Sequence, residues 1–253
     1  MRSALLALVV LMAGAIAATA ETRTSARELL PPELQAQQAD DDANPGMLWV
    51  TSGQQLWSMP AGANAKSCSE CHGDATTSMR GIAARYPAID AKSGRLMNLE
   101  QRINNCRTAN MAAAALPYEG EDLLALTAYV AHQSRGLPVS VRIDDAAAPH
   151  FEAGRRFYFE RQGQLNVSCS QCHDDNVGRR LRGDRISSGL PTAWPAYRLD
   201  WQKMGSLHRR LRACSLGVRA EQLDFGSPEY VNLELYLAGR ADGHLVETPG
   251  LRK

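Results

Sequence analysis

Apolar residues along the chain gather into short stretches of helical periodicity, and the same order of stretches occurs twice. Residues 49 to 59 and 151 to 162 each predict an amphipathic helix. Leu99 to Cys106 and Ser206 to Ala213 predict short helices, and Gly120 to Gln133 and Pro228 to Ala238 predict closing ones. Alternating β-branched runs are nearly absent, so strands are not expected. Glycine and proline fill the spaces between, as in "AIDAKSGR" from Ala88 and "SSGLPTAWPAY" from Ser187. The pattern predicts an all-α protein, small helical domains with long loops wrapped around a cofactor.

The two series register closely. Gly53 and Gly154, Trp57 and Tyr158, and Cys68 and Cys169 keep one offset of 101 residues; Leu99, Arg102 and Cys106 match Leu207, Arg210 and Cys214 at 108. Further on, "LTAYVA" at Leu126 matches "LELYLA" at Leu233. This order reads as a duplicated, pseudo-two-fold domain. The expected boundaries are a first domain over 47–135, a linker over 136–149 and a second domain over 150–253. Residues 21–46, with "QAQQADDDANPG", read as an extended polar arm.

Ahead of these, Arg2, an apolar run from Ala4 to Ala18 and the small-residue site Ala18-Thr19-Ala20 predict a secretory signal peptide over 1–20, cleaved after Ala20. That places the mature chain in the periplasm with no membrane span. With 28 basic against 27 acidic residues, and Arg2 in the leader, bulk charge argues against a nucleic-acid binder or an acidic-surface binder.

The cysteines change the picture most. Three disulfides would be the ordinary use of six cysteines in an oxidising compartment, but "CSECH" from Cys68 and "CSQCH" from Cys169 are Cys-x-x-Cys-His motifs. In c-type haem attachment the two thiols join the two vinyl groups and the adjacent histidine meets the iron. Two haem c groups are expected, on Cys68 and Cys71 with His72, and on Cys169 and Cys172 with His173. A zinc site pairing the two motifs, or a thioredoxin-like redox pair, fits the spacing and context less well.

Each iron then needs a second ligand or keeps an open face. Methionine is the commonest choice and histidine the next, which admits Met79, Met97 and above all Met111 for the first haem, and Met204 or His208 for the second. Position favours Cys106 and Cys214, which are left over once the attachment cysteines are used and stand at one place in the repeat. A Cys106–Cys214 disulfide is the remaining alternative. Arg102 and Arg210 each precede their cysteine by four residues, so each shares a helix face with it. Arg102 is expected to meet a haem propionate. Around Cys214 the arginines are denser, Arg209, Arg210, Arg212 and Arg219, and suit an anionic, sulfur-containing substrate.

Taken together, the two haem motifs, the lone cysteine after each and "RRLRAC" before the second resemble the SoxA family, the catalytic dihaem subunits of the SoxAX cytochromes of bacterial thiosulfate oxidation. The resemblance spans essentially the whole mature chain. It implies that His72 and Cys106 ligate the first iron, that His173 and Cys214 ligate the second, that Cys214 is the active residue and rests as a persulfide, and that Arg210 binds substrate. It also implies L-cysteine S-thiosulfotransferase activity, in which thiosulfate is oxidatively joined to a cysteine of a SoxYZ carrier. The implied partners are a SoxX-like monohaem cytochrome and a cytochrome c acceptor. Ser215-Leu216-Gly217 departs from the bulkier residues common after the family's cysteine. Competing functions are a thiosulfate dehydrogenase forming tetrathionate, for which Met111 would replace Cys106, a dihaem electron shuttle with ordinary ligands, and a dihaem peroxidase.

Overall fold

The protein is described by a computed structural model over residues 23–181 and 183–253, so the expected leader lies outside the described residues. Pro32 opens α1 (Pro32–Ala39), where its missing N–H removes no bond. There follow α2 (Met47–Ser58), α3 (Cys68–His72), α4 (Ala75–Ser78), a hairpin of β1 (Ala88–Ile89) and β2 (Leu96–Met97), α5 (Leu99–Asn110) and α6 (Glu121–His132). A similar succession comes next: α7 (Ala148–Phe159), α8 (Cys169–His173), a small hairpin of β3 (Arg180–Leu181) and β4 (Asp184–Arg185), a second of β5 (Ala196–Arg198) and β6 (Lys203–Gly205), α9 (Leu207–Gly217) and α10 (Pro228–Arg240). The chain ends in β7 (Gly250–Arg252), parallel to β5.

The fold is helical, with strands of two or three residues where none was expected. Strands this short carry too few residues for an alternating pattern to register. Both α5 and α9 run past their cysteines, to Asn110 and Gly217, because no proline or glycine interrupts them sooner. Cys106 and Cys214 therefore sit inside helices rather than behind them.

Two helix crossings organise the core. Helix α2 lies against α6 so closely that a Cβ on Gly53 would stand 2.1 Å from the Ala125 carbonyl oxygen, and α7 meets α10 with a Cβ on Gly154 reaching 2.0 Å from that of Asn232. Only glycine permits such an approach. Next to the first crossing, Trp57 and Tyr129 meet edge to face at 6.0 Å; next to the second, Tyr158 and Tyr236 lie 5.2 Å apart. Rings of this size dominate the burial term of a small core. Met204 is fully buried in the cluster of Val50, Trp57 and Leu124.

The halves of the chain share a further core of Ala84, Val139, Leu190, Ala238, Ala241 and Val246. The segment read as a linker is bonded at its start: Val139 N–H donates to His244 O at 2.8 Å and Gly136 N–H to Val246 O at 2.9 Å. The N-terminal segment includes α1 and is pinned through two buried amides, Gln38 accepting from Leu251 N–H at 3.0 Å and Asn44 donating to Pro249 O at 2.9 Å. Buried amides require such partners. No helix among the described residues is long and apolar enough to cross a membrane.

Candidate functional site

Each Cys-x-x-Cys-His motif forms a short helix started by its own capping box. Glu70 N–H donates to Ser67 Oγ at 3.2 Å while Ser67 N–H donates to the Glu70 carboxylate at 3.4 Å, and Ser168 with Gln171 does the same ahead of Cys169. The helical turn puts the two thiols of a motif on one face, three residues apart, with the histidine beside the second. An aromatic from the preceding helix braces the far end: Trp57 Nε1 donates to Gly73 O at 3.0 Å, and Tyr158 donates to Asp174 Oδ1 at 3.0 Å. Arg240 also donates to Asp174, at 2.6 Å, and lies over the Tyr158 ring.

His173 is set for metal ligation. Its Nδ1 donates to Ser187 O at 2.7 Å, so the other ring nitrogen is left free to ligate. The half-buried Cys214 thiol lies near this imidazole. Burial acts to raise the Cys214 thiol, but the His173 imidazole and the charges of Arg210 and Arg198 outweigh it and bring it to about 7. The attachment thiols respond the other way: burial and then the nearby Cys214 push Cys169 up to about 12 and raise Cys172. In the first half burial raises Cys68, with Arg107 opposing and Cys106 adding, so Cys106 lies near that motif. All six cysteines are unpaired, including Cys106 and Cys214.

The residues fit covalent haem. Beside paired thiols and a histidine with its second nitrogen tied, buried guanidinium nitrogens stand without partners at Arg107 Nε and Arg240 Nε, which suits propionate groups. The rival ligands divide. His208 has both ring nitrogens engaged, Nε2 with Glu234 Oε2 at 3.1 Å and Nδ1 with the Gly226 N–H at 3.0 Å. Met204 belongs to the Trp57 core, and Met111 is buried as the residue that ends α5.

The arginine cluster of the sequence is dispersed by the helix. Arg209 stacks on Trp201 at 4.2 Å and pairs with Glu119 at 3.5 Å. Arg212 stacks on Phe225 and donates to Leu223 O, and Arg219 donates to Gln164 at 3.4 Å. Arg210 remains on the Cys214 face, and the other arginine whose charge acts on that thiol is Arg198, at the end of β5. In the first half Arg102, expected at a propionate, pairs through Nη1 with Asp90 at 2.6 Å. A carboxylate twelve residues upstream, in a turn, leaves no periodic signal. Asp90 and Arg198 were not singled out by pattern, yet they stand at the 108-residue offset of the cysteines, in "YPAID" and "WPAYR".

A buried network joins the starts of α5 and α9. Glu234 accepts from His208 and, at 3.2 Å, from Asn98; Tyr118 donates to Asn98 at 3.1 Å and stacks on His208. Glu100 lies among them, and burial and then the Glu234 charge push it up to about 7 against His208.

Comparison with known proteins follows this geometry. The SoxA/TsdA cytochrome c domain matches residues 52–139. The L-cysteine S-thiosulfotransferase subunit SoxA of Pseudaminobacter salicylatoxidans is 41% identical over 87% of this chain and 78% of its own length. That of Rhodovulum sulfidophilum is 40% identical over 87% and 77%. The crystal structure of SoxXA from P. pantotrophus superposes with a TM-score of 0.87 at 35% identity, covering 90% of this chain and 86% of the matched one. With a cytochrome c domain that implies covalent haem c, and relatives matched across most of their length, the chain belongs to the SoxA family.

Proposed function

We propose that the chain carries two haem c groups, one in each of two duplicated cytochrome c-like domains, and that chemistry occurs at the second. The protein is an L-cysteine S-thiosulfotransferase subunit, as its relatives at 41% and 40% identity are named. Support for the duplication comes from the paired glycine crossings, the paired capping boxes and the common register of the two cysteine helices. The domains would span 47–135 and 150–253, with 136–149 between them and 21–46 as the N-terminal arm.

Cys68 and Cys71 would hold the first haem, with His72 and Cys106 at its iron; Cys169 and Cys172 would hold the second, with His173 and Cys214. When bound, haem c supplies a one-electron redox centre beside the reacting sulfur. The observation that carries the reading is Cys214, near His173, standing four residues after Arg210 on α9 with the charges of Arg210 and Arg198 acting on it. Those charges lower the repulsion between a thiosulfate dianion and a sulfur anion. Arg210 binds the substrate and orients it, and Cys214, resting as a persulfide, is the active residue. In the net reaction a carrier cysteine thiol loses its proton to solvent and forms an S–S bond with the outer sulfur of thiosulfate. Two electrons leave, one at a time, for a cytochrome c acceptor. The partners are a SoxX-like monohaem cytochrome, consistent with the SoxXA match, and a SoxYZ-like carrier. Export to the periplasm through residues 1–20 completes the proposal.

Intact-mass analysis of the exported protein tests this directly: two haems and a sulfur adduct mapped to Cys214 are expected, with conjugation lost in Cys214→Ala. Tetrathionate as sole product would favour a thiosulfate dehydrogenase. Thiosulfate oxidation surviving Cys214→Ala would leave an electron shuttle.

A further inference from the structure

We propose that Arg198 is a second substrate-binding residue of the Cys214 site, clasping with Arg210 the sulfonate end of thiosulfate; this rests on the function proposed above. The argument begins with register. In β1 and β2, Ala88 pairs with Met97 and Ile89 with Leu96; in β5 and β6, Ala196 pairs with Gly205 and Tyr197 with Met204. Each hairpin leads directly into the helix that carries the cysteine. Asp90 follows β1, and Arg198 holds the corresponding place at the end of β5.

In the first hairpin this position reaches the helix, since Asp90 meets Arg102 at 2.6 Å. Arg198 stands in the same relation to Arg210, twelve residues later. Where one half places an acid against its arginine, the other places a second arginine, and Arg198 feels the charge of Arg210. Trp201 ties the end of β5 to the start of α9, with Arg198 at 5.0 Å and Arg209 at 4.2 Å from its ring.

Arg198 is short of partners. Its side chain is 10% exposed; it pairs at 3.5 Å with Asp200, which is 65% exposed, and the charge of Asp184 also acts on it. Buried Arg198 Nε has no hydrogen bond among the described residues. Burial and then the charge of Arg210 hold the Arg198 guanidinium below its usual range. Like charges that share a partly buried site gain from an anion between them, and the largely exposed Asp200 meets Arg198 from one side only. Three sulfonate oxygens can take forked contacts from two guanidinium groups, leaving the outer sulfur directed at Cys214.

The test uses the purified complex with its carrier. Arg198→Gln is expected to raise the KM for thiosulfate by at least about tenfold with kcat changed less than about threefold. Arg198→Asp, which rebuilds with Arg210 the pair that Asp90 makes with Arg102, keeps a folding-competent charge arrangement and is expected to raise KM by about 100-fold or more. Arg198→Lys should recover part of the loss. Haem content and visible spectrum stay as in the wild type. A KM within about twofold of wild type in Arg198→Asp overturns the proposal. So does a rise accompanied by haem loss or a shifted spectrum, which makes Arg198 a propionate anchor. If the wild type itself conjugated no thiosulfate, the underlying function would fall, and calorimetric binding of thiosulfate to wild type and Arg198→Asp would still decide Arg198: equal affinities reject it.

Discussion

Cys106 and Cys214 are each the eighth residue of a capped helix, each preceded by an arginine on the same face and each near a Cys-x-x-Cys-His turn. Their surroundings diverge at the hairpin upstream. Arg102 is neutralised by Asp90, whereas Arg210 shares its site with Arg198. Two sites of one geometry can therefore differ in chemistry through a single upstream position. The first sets its arginine against an acid, and the second brings two arginine charges to bear on the Cys214 thiol. Like charges gathered in this way work against stability, a cost that the proposed substrate site would carry.

The contrast breaks most sharply at the cysteines. Cys214→Ala should lower conjugation by about 1000-fold or more, while Cys106→Ala should change the first haem's spectrum and lower conjugation by less than about tenfold, both measured as carrier thiosulfonation by mass spectrometry. Comparable losses would mean the halves are not divided between structure and chemistry. What the halves share is tested at the crossings. Gly53→Ala and Gly154→Ala should each destabilise by about 3 kcal/mol, since a methyl cannot fit against a carbonyl in a packed core; thermal denaturation reads the pair. Effects on one side only would show that the crossings are not equivalent.

The network between the two helices gives a pH signature. Glu100 is raised from 4.5 to about 7, so between those values the folded chain keeps a proton that the unfolded chain releases. Stability falls as pH rises through that window. Glu100→Gln should remove the fall, a gain on the order of 2 kcal/mol at pH 8 relative to pH 5, followed by denaturant melts at both. The smallest effect is expected at the first site. Hydrogen bonds from Ser93 and the Arg102 charge hold Asp90 below the ordinary 3.8. Its contribution is present above that value and lost as pH falls through the lowered one. Asp90→Asn should flatten the acid limb of the melting curve and leave thiosulfate KM unchanged.

Several of these features were readable in the residues. The helices begin within a few residues of their expected starts because their amphipathic patterns and caps are local. Gly53 and Gly154 registered as a matched pair before any crossing was visible. The arginine run was misleading as a unit: on α9, Arg209 and Arg212 point toward Trp201 and Phe225, and a run of charges in sequence spreads around a helix at 3.6 residues per turn. His208 and Met204 were plausible ligands by type, and one is engaged through both nitrogens while the other lies in the core around Trp57.

What the sequence determined by itself is the chemistry that depends on short spacing: the thiol pairs with their histidines, and a cysteine one helical turn beyond an arginine. Such relations lie within a turn of backbone and survive any packing of the rest. Only the tertiary structure decided which arginines are taken up by Glu119, Trp201 and Phe225, that the charges of Arg198 and Arg210 both act on Cys214, and that Glu100 shares a buried site with Glu234 and His208. Those outcomes depend on residues far apart in the chain meeting in a low-dielectric interior, where the partner a charge finds, rather than the residue type, sets what it can do.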